Sequence, residues 1–223
     1  MSSLDRHTDY GSNPLTEADI GRDPIAAFGD WLRAAEEAEV YEPNAMVVST
    51  VEDARPSSRT VLLKGFDANG FDFVTNYRSS KGRALLANPA VSLLFPWYSL
   101  RRQVIVSGDA HPAEPGVSDA YFDARPRESR LASIASDQSE PIASRDLLEQ
   151  RMRDLLERYP EGSQIPRPEK WGAFRVTPRS IEFWQGRSAR FHDRLRFTAT
   201  SGATSGATSA AAADGWTLER LQP

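Results

Sequence analysis

Arg190 and His192 lie two residues apart in the segment RSARFHDR, which follows WGAFRVTP and IEFWQG. Read as a strand, that segment sends alternate side chains to one face. A guanidinium and an imidazole can then address a single ligand together. With three histidines in 223 residues, the placement of this one carries weight.

Cations at short spacing recur elsewhere. RTVLLK carries Arg59 and Lys64 at the ends of an apolar run. Five positions apart on a regular strand, they face opposite sides and suit two separate anions. Charges at the frayed ends of a strand account for the pattern equally well. TNYRSSKG offers Ser79 or Ser80 as a helix cap, with Lys81 in the first turn. A cation there opposes the helix dipole unless an anion binds nearby, and free N–H groups at a helix start attract phosphate. Simple capping with a solvated lysine stays open.

In DAYFDARPRES, Tyr121, Arg125 and Ser129 recur every four residues. Pro126 pushes Arg125 toward extended geometry, so one helix ends near Ala124 and another starts at Pro126. All three side chains donate hydrogen bonds, as a phosphate cradle requires, although a surface helix corner has the same composition. Gln103 in RRQVIVSG, and Gln138 with Ser139 in ASDQSEPI, can read the edge of a heterocycle. They are also ordinary strand and loop residues. Trp184 suits a core position as readily as a ligand platform.

The elements that must position these residues are short strands with helical additions. Asp23-Pro24 opens a helix whose buried stripe is Ile25, Phe28, Leu32 and Ala35. From residue 44 the runs AMVVSTV, RTVLLKGF, FDFVTNY, VSLLFPW and RQVIVSGDA alternate with tight turns, notably Asp67 to Gly70. Their spacing predicts an antiparallel barrel or sandwich. A helix over about Ser79 to Asn88 interrupts them, and 116–159 is helical, most clearly in SRDLLEQRMRDLLERY. Strands return with WGAFRVTP, IEFWQG, RFHDRLRFT and GWTLERLQP. Residues 1–22 read as a flexible arm, 23–223 as a single domain, and the Ser/Gly/Ala/Thr-rich stretch 198–213 as a low-complexity loop.

Composition narrows the function. A net charge of −4 argues against a general nucleic-acid binder. No apolar run is long enough to span a membrane and the N-terminus lacks a secretory pattern, so a cytoplasmic protein is expected. Zero cysteines exclude disulfides and thiol catalysis, and three scattered histidines make no metal site, so no metal is expected. P-loop, dinucleotide-fingerprint and GxSxG patterns are missing. Only three of 27 basic residues are lysines (Lys64, Lys81 and Lys170), and two of them fall in the segments singled out above. Together these signals point to two phosphorylated ligands, with cations in short motifs, amides for a ring edge and no acid/base pair.

RTVLLKGFD, GFDFVTNYRSSKG, NPAVSLLFPW, RRQVIVSG, YFDARPRES, QSEPIASR, WGAFRV, IEFWQGRSARFHDRL and the terminal RLQP resemble, in order and spacing, the pyridoxamine 5′-phosphate oxidase family. The resemblance covers about residues 23–197 and the last few. It implies an α+β FMN-binding split β-barrel, antiparallel with flanking helices, working as a homodimer with FMN at the interface. It implies oxidation of pyridoxine or pyridoxamine 5′-phosphate to pyridoxal 5′-phosphate, with O2 as acceptor and H2O2 as product.

By matching position, Arg59, Thr60, Val61, Leu62, Leu63, Lys64, Thr75, Lys81, Gln103, Gln138, Ser139, Trp184 and Arg194 would contact FMN. Lys64, Tyr121, Arg125 and Ser129 would hold the substrate phosphate. Arg190 and His192 would hold the pyridine ring and are the expected catalytic pair. A phenazine-type flavin oxidase and a non-catalytic flavin or pyridoxal-phosphate binder are the alternatives. Four departures stand out: Val74 where Tyr is common, Ser80 where Arg often precedes the Lys, Phe191 where Leu is usual, and Tyr10 without the basic pair near it. The loss at Ser80 predicts weaker FMN binding.

Overall fold

The computed structural model describes residues 3–5, 9–200, 210–211 and 215–223. Six strands form its centre: β1 (Ala45–Glu52), β2 (Arg55–Asp67), β3 (Gly70–Asn76), β4 (Ala90–Trp97), β5 (Arg102–Pro112) and β6 (Trp171–Gln185). They pair in the order β3-β2-β1-β4-β5-β6, and β3 pairs back onto β6 to close an antiparallel barrel. β7 (Asp193–Ala199), β9 (Trp216–Leu221) and the two-residue β8 (Ala210–Ala211) extend the sheet beyond β6.

Two-residue alternation builds the barrel interior. Met46 and Val48 of β1, Leu93 and Phe95 of β4, and Val104 and Val106 of β5 are buried, while the residues between them are half-exposed. Helix α2 (Pro24–Glu37) starts where expected, because Asp23 accepts from the N–H groups of Ile25 and Ala26. Its Phe28 is fully buried edge-on against Phe66, Phe71 and Phe95, with centroids 4.8–5.0 Å away. Trp31, outside the predicted stripe, is buried against Phe183.

A second core forms where α4 (Pro115–Asp123), α5 (Arg127–Ala135) and α6 (Arg145–Arg158) pack together. Phe122, Leu131, Leu155 and Ile165 meet Trp171 there. The break between α4 and α5 falls at Ala124 to Pro126, as the proline demands.

Three expectations need correction. Residues 9–22 are docked rather than forming a free arm. Leu15 and Ile20 are buried in the main core, and α1 (Glu17–Ile20) carries a capping box from Thr16 and Asp19. Asp193 accepts from the Leu15 N–H, and Arg220 donates to the Leu15 carbonyl. The stretch 198–213 is paired at both margins, since Thr198 and Ala199 belong to β7 and Ala210–Ala211 pair with β9. Residues 201–209 and 212–213 of it lie outside the described residues. Finally, Arg190 and His192 are not on a strand. Ser188–Arg190 form a 3-10 turn with Ala189 and Arg190 at positive φ, and β7 begins only at Asp193. Nothing in the residue types announces that turn, because neither position is a glycine.

Candidate active site

A cavity of about 1070 Å³ is lined by β2, the end of β3, the start of α3 (Ser80–Ala87), and the α4–α5 corner with the segment that follows α5. It collects Arg59, Thr60, Val61, Leu62, Lys64, Thr75, Lys81, Tyr121, Arg125, Ser129, Gln138 and Ser139. Both faces of β2 contribute for a topological reason. β2 pairs with β1 through Leu62 but meets β3 only from Leu63 onward, so along 59–62 its second edge has no strand partner among the described residues. Residues 59–62 and 64 all line the cavity, so Arg59 and Lys64 both address it, with a register shift in β2 between Leu63 and Gly65. Leu63 itself is 5% exposed and belongs to the core.

Lys81 is the most telling residue. It is 9% exposed, and its Nζ donates to Thr75 Oγ1 at 3.0 Å and Gln138 Oε1 at 2.9 Å. Arg59 donates to the Val48 carbonyl, Thr50 Oγ1 and Ser57 Oγ. Every one of these partners is neutral. Burial, with the Arg59 charge added, pushes the Lys81 ammonium below the usual lysine range, and burial lowers Arg59 too. Ser79 caps α3 by accepting from the Gly82 N–H, leaving Ser80 at the first helical position on the cavity wall.

The second group is Lys64, Tyr121, Arg125 and Ser129. Arg125 lies over the Trp171 ring at 4.8 Å and donates to Ser133 Oγ, and it too has no carboxylate partner among the described residues. Tyr121 reaches the cavity because Gly65 has no side chain: a Cβ there would stand 2.5 Å from the hydroxyl. Burial first, then the Asp72 carboxylate, raise the Tyr121 pKa and keep the phenol protonated.

Gln103, Trp184, Arg190, His192 and Arg194 do not line this cavity. They form a separate patch. Gln103, Trp184 and Arg194 stand opposite one another across β5, β6 and β7. The His192 ring lies 4.7 Å from Trp184, with Tyr10 edge-on to both. The Arg187 N–H donates to His192 Nδ1 at 3.1 Å, which requires Nδ1 to be unprotonated and leaves Nε2 to carry the proton. Burial and then the Arg190 charge lower the His192 pKa, in agreement with a neutral ring. Glu182 holds Arg194 through two hydrogen bonds of 2.8 and 3.1 Å.

Sequence reading passed over Asn76, Ser133, Ser136 and Trp171 on the cavity wall. Trp171 carried a signal, as the aromatic that opens WGAFRV beside an arginine-rich corner. The serines and the asparagine carried none.

Comparison with known proteins bears on what this arrangement serves. Residues 32–159 match the family model described as pyridoxamine 5′-phosphate oxidase, and 171–223 match the pyridoxine 5′-phosphate oxidase C-terminal dimerisation region. The chain is 50% identical over 216 residues to the pyridoxine/pyridoxamine 5′-phosphate oxidase of Rubrobacter xylanophilus, covering 96% of this chain and 94% of that one. It is 47% identical to the Burkholderia ambifaria protein of that name, over the full length of both. The chain belongs to the pyridoxine/pyridoxamine 5′-phosphate oxidase family. Among solved structures, PhzG from Burkholderia lata, crystallised with tetrahydrophenazine-1-carboxylic acid, superposes with a TM-score of 0.83 at 31% identity, covering 96% of this chain and all of that one. An FMN-binding protein related to the oxidases, from Nostoc punctiforme, shares the fold at a TM-score of 0.66 and 16% identity, covering 90% of this chain and 98% of that one. Membership of the oxidase family makes this chain an oxidoreductase. Among the described residues no helix is long and apolar enough to cross a membrane.

Proposed function

We propose that the chain is an FMN-dependent oxidase acting as a cytoplasmic homodimer. It converts pyridoxine 5′-phosphate or pyridoxamine 5′-phosphate to pyridoxal 5′-phosphate, with O2 as acceptor and H2O2 as product, and NH3 released from the amine. The observation that carries this reading is the pair of cationic groups on one cavity, Arg59 with Lys81 and Lys64 with Arg125, none of them ion-paired to a carboxylate among the described residues. A buried lysine with neutral partners is costly unless an anion completes it. That cost falls on Lys81, since Lys64 is exposed and Arg125 half-buried; the two cationic groups together fit two phosphate monoesters.

Arg59, Lys81, Ser80 and the first N–H groups of α3 would take the FMN phosphate. The unpaired backbone edge at 59–62, with Thr75, Gln138 and Ser139, would lie along its ring system. FMN, when bound, supplies the two-electron acceptor and the route to dioxygen. Lys64, Tyr121, Arg125 and Ser129 would hold the substrate phosphate. Arg190 would cover the pyridine ring, and His192, protonated at Nε2, would donate toward the ring hydroxyl. Holding the reacting carbon in place is the main contribution of these residues, and orientation of this kind can supply ~7–11 kcal/mol in favourable cases. Since Gln103, Trp184, Arg190, His192 and Arg194 lie off the cavity of their own chain, a second copy would bring them to it. The dimerisation region matched at 171–223 includes four of the five.

Oxidation of a non-phosphorylated ring, of the kind bound to the Burkholderia lata relative, is the competing reading. It leaves Lys64, Tyr121, Arg125 and Ser129 without a task. A pure binding role leaves Arg190 and His192 without one. Oxygen uptake with pyridoxine, pyridoxine 5′-phosphate and pyridoxamine 5′-phosphate decides among them. The proposal expects turnover of the phosphate esters with pyridoxal 5′-phosphate as product. Turnover favouring the dephosphorylated ring would overturn it.

A further inference from the structure

Asp72 is 2% exposed, although it sits on β3 among the strands that wall an anion-binding cavity. Register places it opposite Gly65 of β2 on one side and Arg175 of β6 on the other, so the three share one face of the sheet. Arg175 grips the carboxylate with two hydrogen bonds, Nε to Oδ1 at 2.8 Å and Nη2 to Oδ2 at 2.7 Å, and also reaches Asp67. That clamp neutralises a carboxylate which would otherwise repel an incoming phosphate. Tyr121 crosses the same face from α4. Its hydroxyl occupies the space left by Gly65 and stands 3.4 Å from Asp72 Oδ2.

We infer that Asp72, clamped by Arg175, is a positioning residue that holds the Tyr121 hydroxyl ready for the phosphate of the substrate. The contact is long for an O–H···O hydrogen bond, so it places the oxygen without binding its proton tightly. The hydrogen turns about the phenolic C–O bond, and the same oxygen that rests beside Asp72 in the empty cavity donates to a phosphate oxygen in the filled one. Without Asp72 the half-buried hydroxyl has no acceptor before the ligand arrives, and its ordering must be done on binding. Asp67 also binds Arg175, but among the described residues Asp72 is the carboxylate within hydrogen-bond distance of the hydroxyl. The inference rests on the phosphate-ester reading of the cavity.

The test is a double-mutant cycle on the full-length holoenzyme, read by kinetics with pyridoxine 5′-phosphate and by equilibrium dialysis with pyridoxal 5′-phosphate and pyridoxal. The wild type is expected to bind pyridoxal 5′-phosphate well above pyridoxal. Tyr121→Phe and Asp72→Ala should each raise KM, and the Kd for pyridoxal 5′-phosphate, by roughly five- to tenfold, with kcat within about twofold. The double variant should be no worse than the weaker single one, and Asp72→Asn, which keeps an acceptor oxygen, should recover most of the loss.

If Asp72→Ala, which leaves Arg175 with Asp67 alone, unfolds the chain, Asp72→Leu/Arg175→Met removes both charges and carries the same comparison. Additive losses, an unchanged or lower KM in the Asp72 variants, or a fall confined to kcat would overturn the inference alone. A wild type that binds pyridoxal as well as its phosphate would overturn the functional reading beneath it.

Discussion

Ser80 and His192 show how much a single side chain decides in this molecule. Ser80 begins α3 on the cavity wall, beside a buried Lys81 and within reach of the helix N–H groups, yet it brings no charge. Ser80→Arg is therefore expected to tighten FMN binding by about 1–3 kcal/mol, the scale of a charge-assisted hydrogen bond. A fluorescence titration that shows no tightening would count against this assignment of the phosphate. His192 is kept neutral by burial and by the Arg190 charge. With its pKa below the free-imidazole value, the ring is neutral at pH 7 and protonates only in more acidic solution. Arg190→Ala removes one of the two causes, so the His192 titration followed by NMR should move to higher pH. Residue types and spacing made the cationic segments legible. They did not reveal Gly65 as the gap that admits Tyr121, because that depends on a contact between β2 and α4 far apart in the chain.

At the scale of elements, strands and helices followed from local rules while the cavity did not. Asp23 at the start of α2, a cap at Ser79 or Ser80 and Pro126 as the helix break all act within a few residues and could be read in advance, while the structure decides for Ser79. The cavity opens where β2 meets β3 only from Leu63 onward and leaves an edge unpaired among the described residues, a property of pairing rather than of sequence. The turn at 188–190 escaped for a similar reason, since its two left-handed residues are Ala and Arg. Gly82 tests the packing of α3 against the cavity floor. A Cβ there would stand 2.4 Å from the Tyr77 carbonyl oxygen and 2.5 Å from that of Asn76, backbone atoms that cannot step aside. Gly82→Ala should destabilise the fold by about 1–3 kcal/mol and weaken FMN binding with it. Thermal denaturation with and without FMN measures both, and an unshifted midpoint would show that α3 relaxes more freely than this packing allows.

At the scale of the whole molecule, one chain holds both halves of the proposed site but does not bring them together. The cavity carries Arg59, Lys64, Lys81, Tyr121 and Arg125, while Arg190, His192 and Arg194 stand elsewhere on the same chain. The docked N-terminal segment belongs to the second half, with Tyr10 against His192 and Trp184 and Ser188 hydrogen-bonded to Asp9 and Gly11. Two buried residues in a polar stretch, Leu15 and Ile20, were the faint sequence sign of that docking. If sites are shared between two copies, a heterodimer of a Lys81→Ala chain and an Arg190→Ala chain contains one site with both changes and one with neither. It should regain roughly half of wild-type activity although each homodimer is impaired. No recovery would mean that each chain completes its own site.

A visible spectrum of the purified protein, followed by anaerobic addition of pyridoxamine 5′-phosphate, decides whether the chain is the proposed flavin oxidase. Flavin bands that bleach on addition and return with air as pyridoxal 5′-phosphate appears are the expected result. Flavin bands that persist in the presence of both phosphate esters would contradict it.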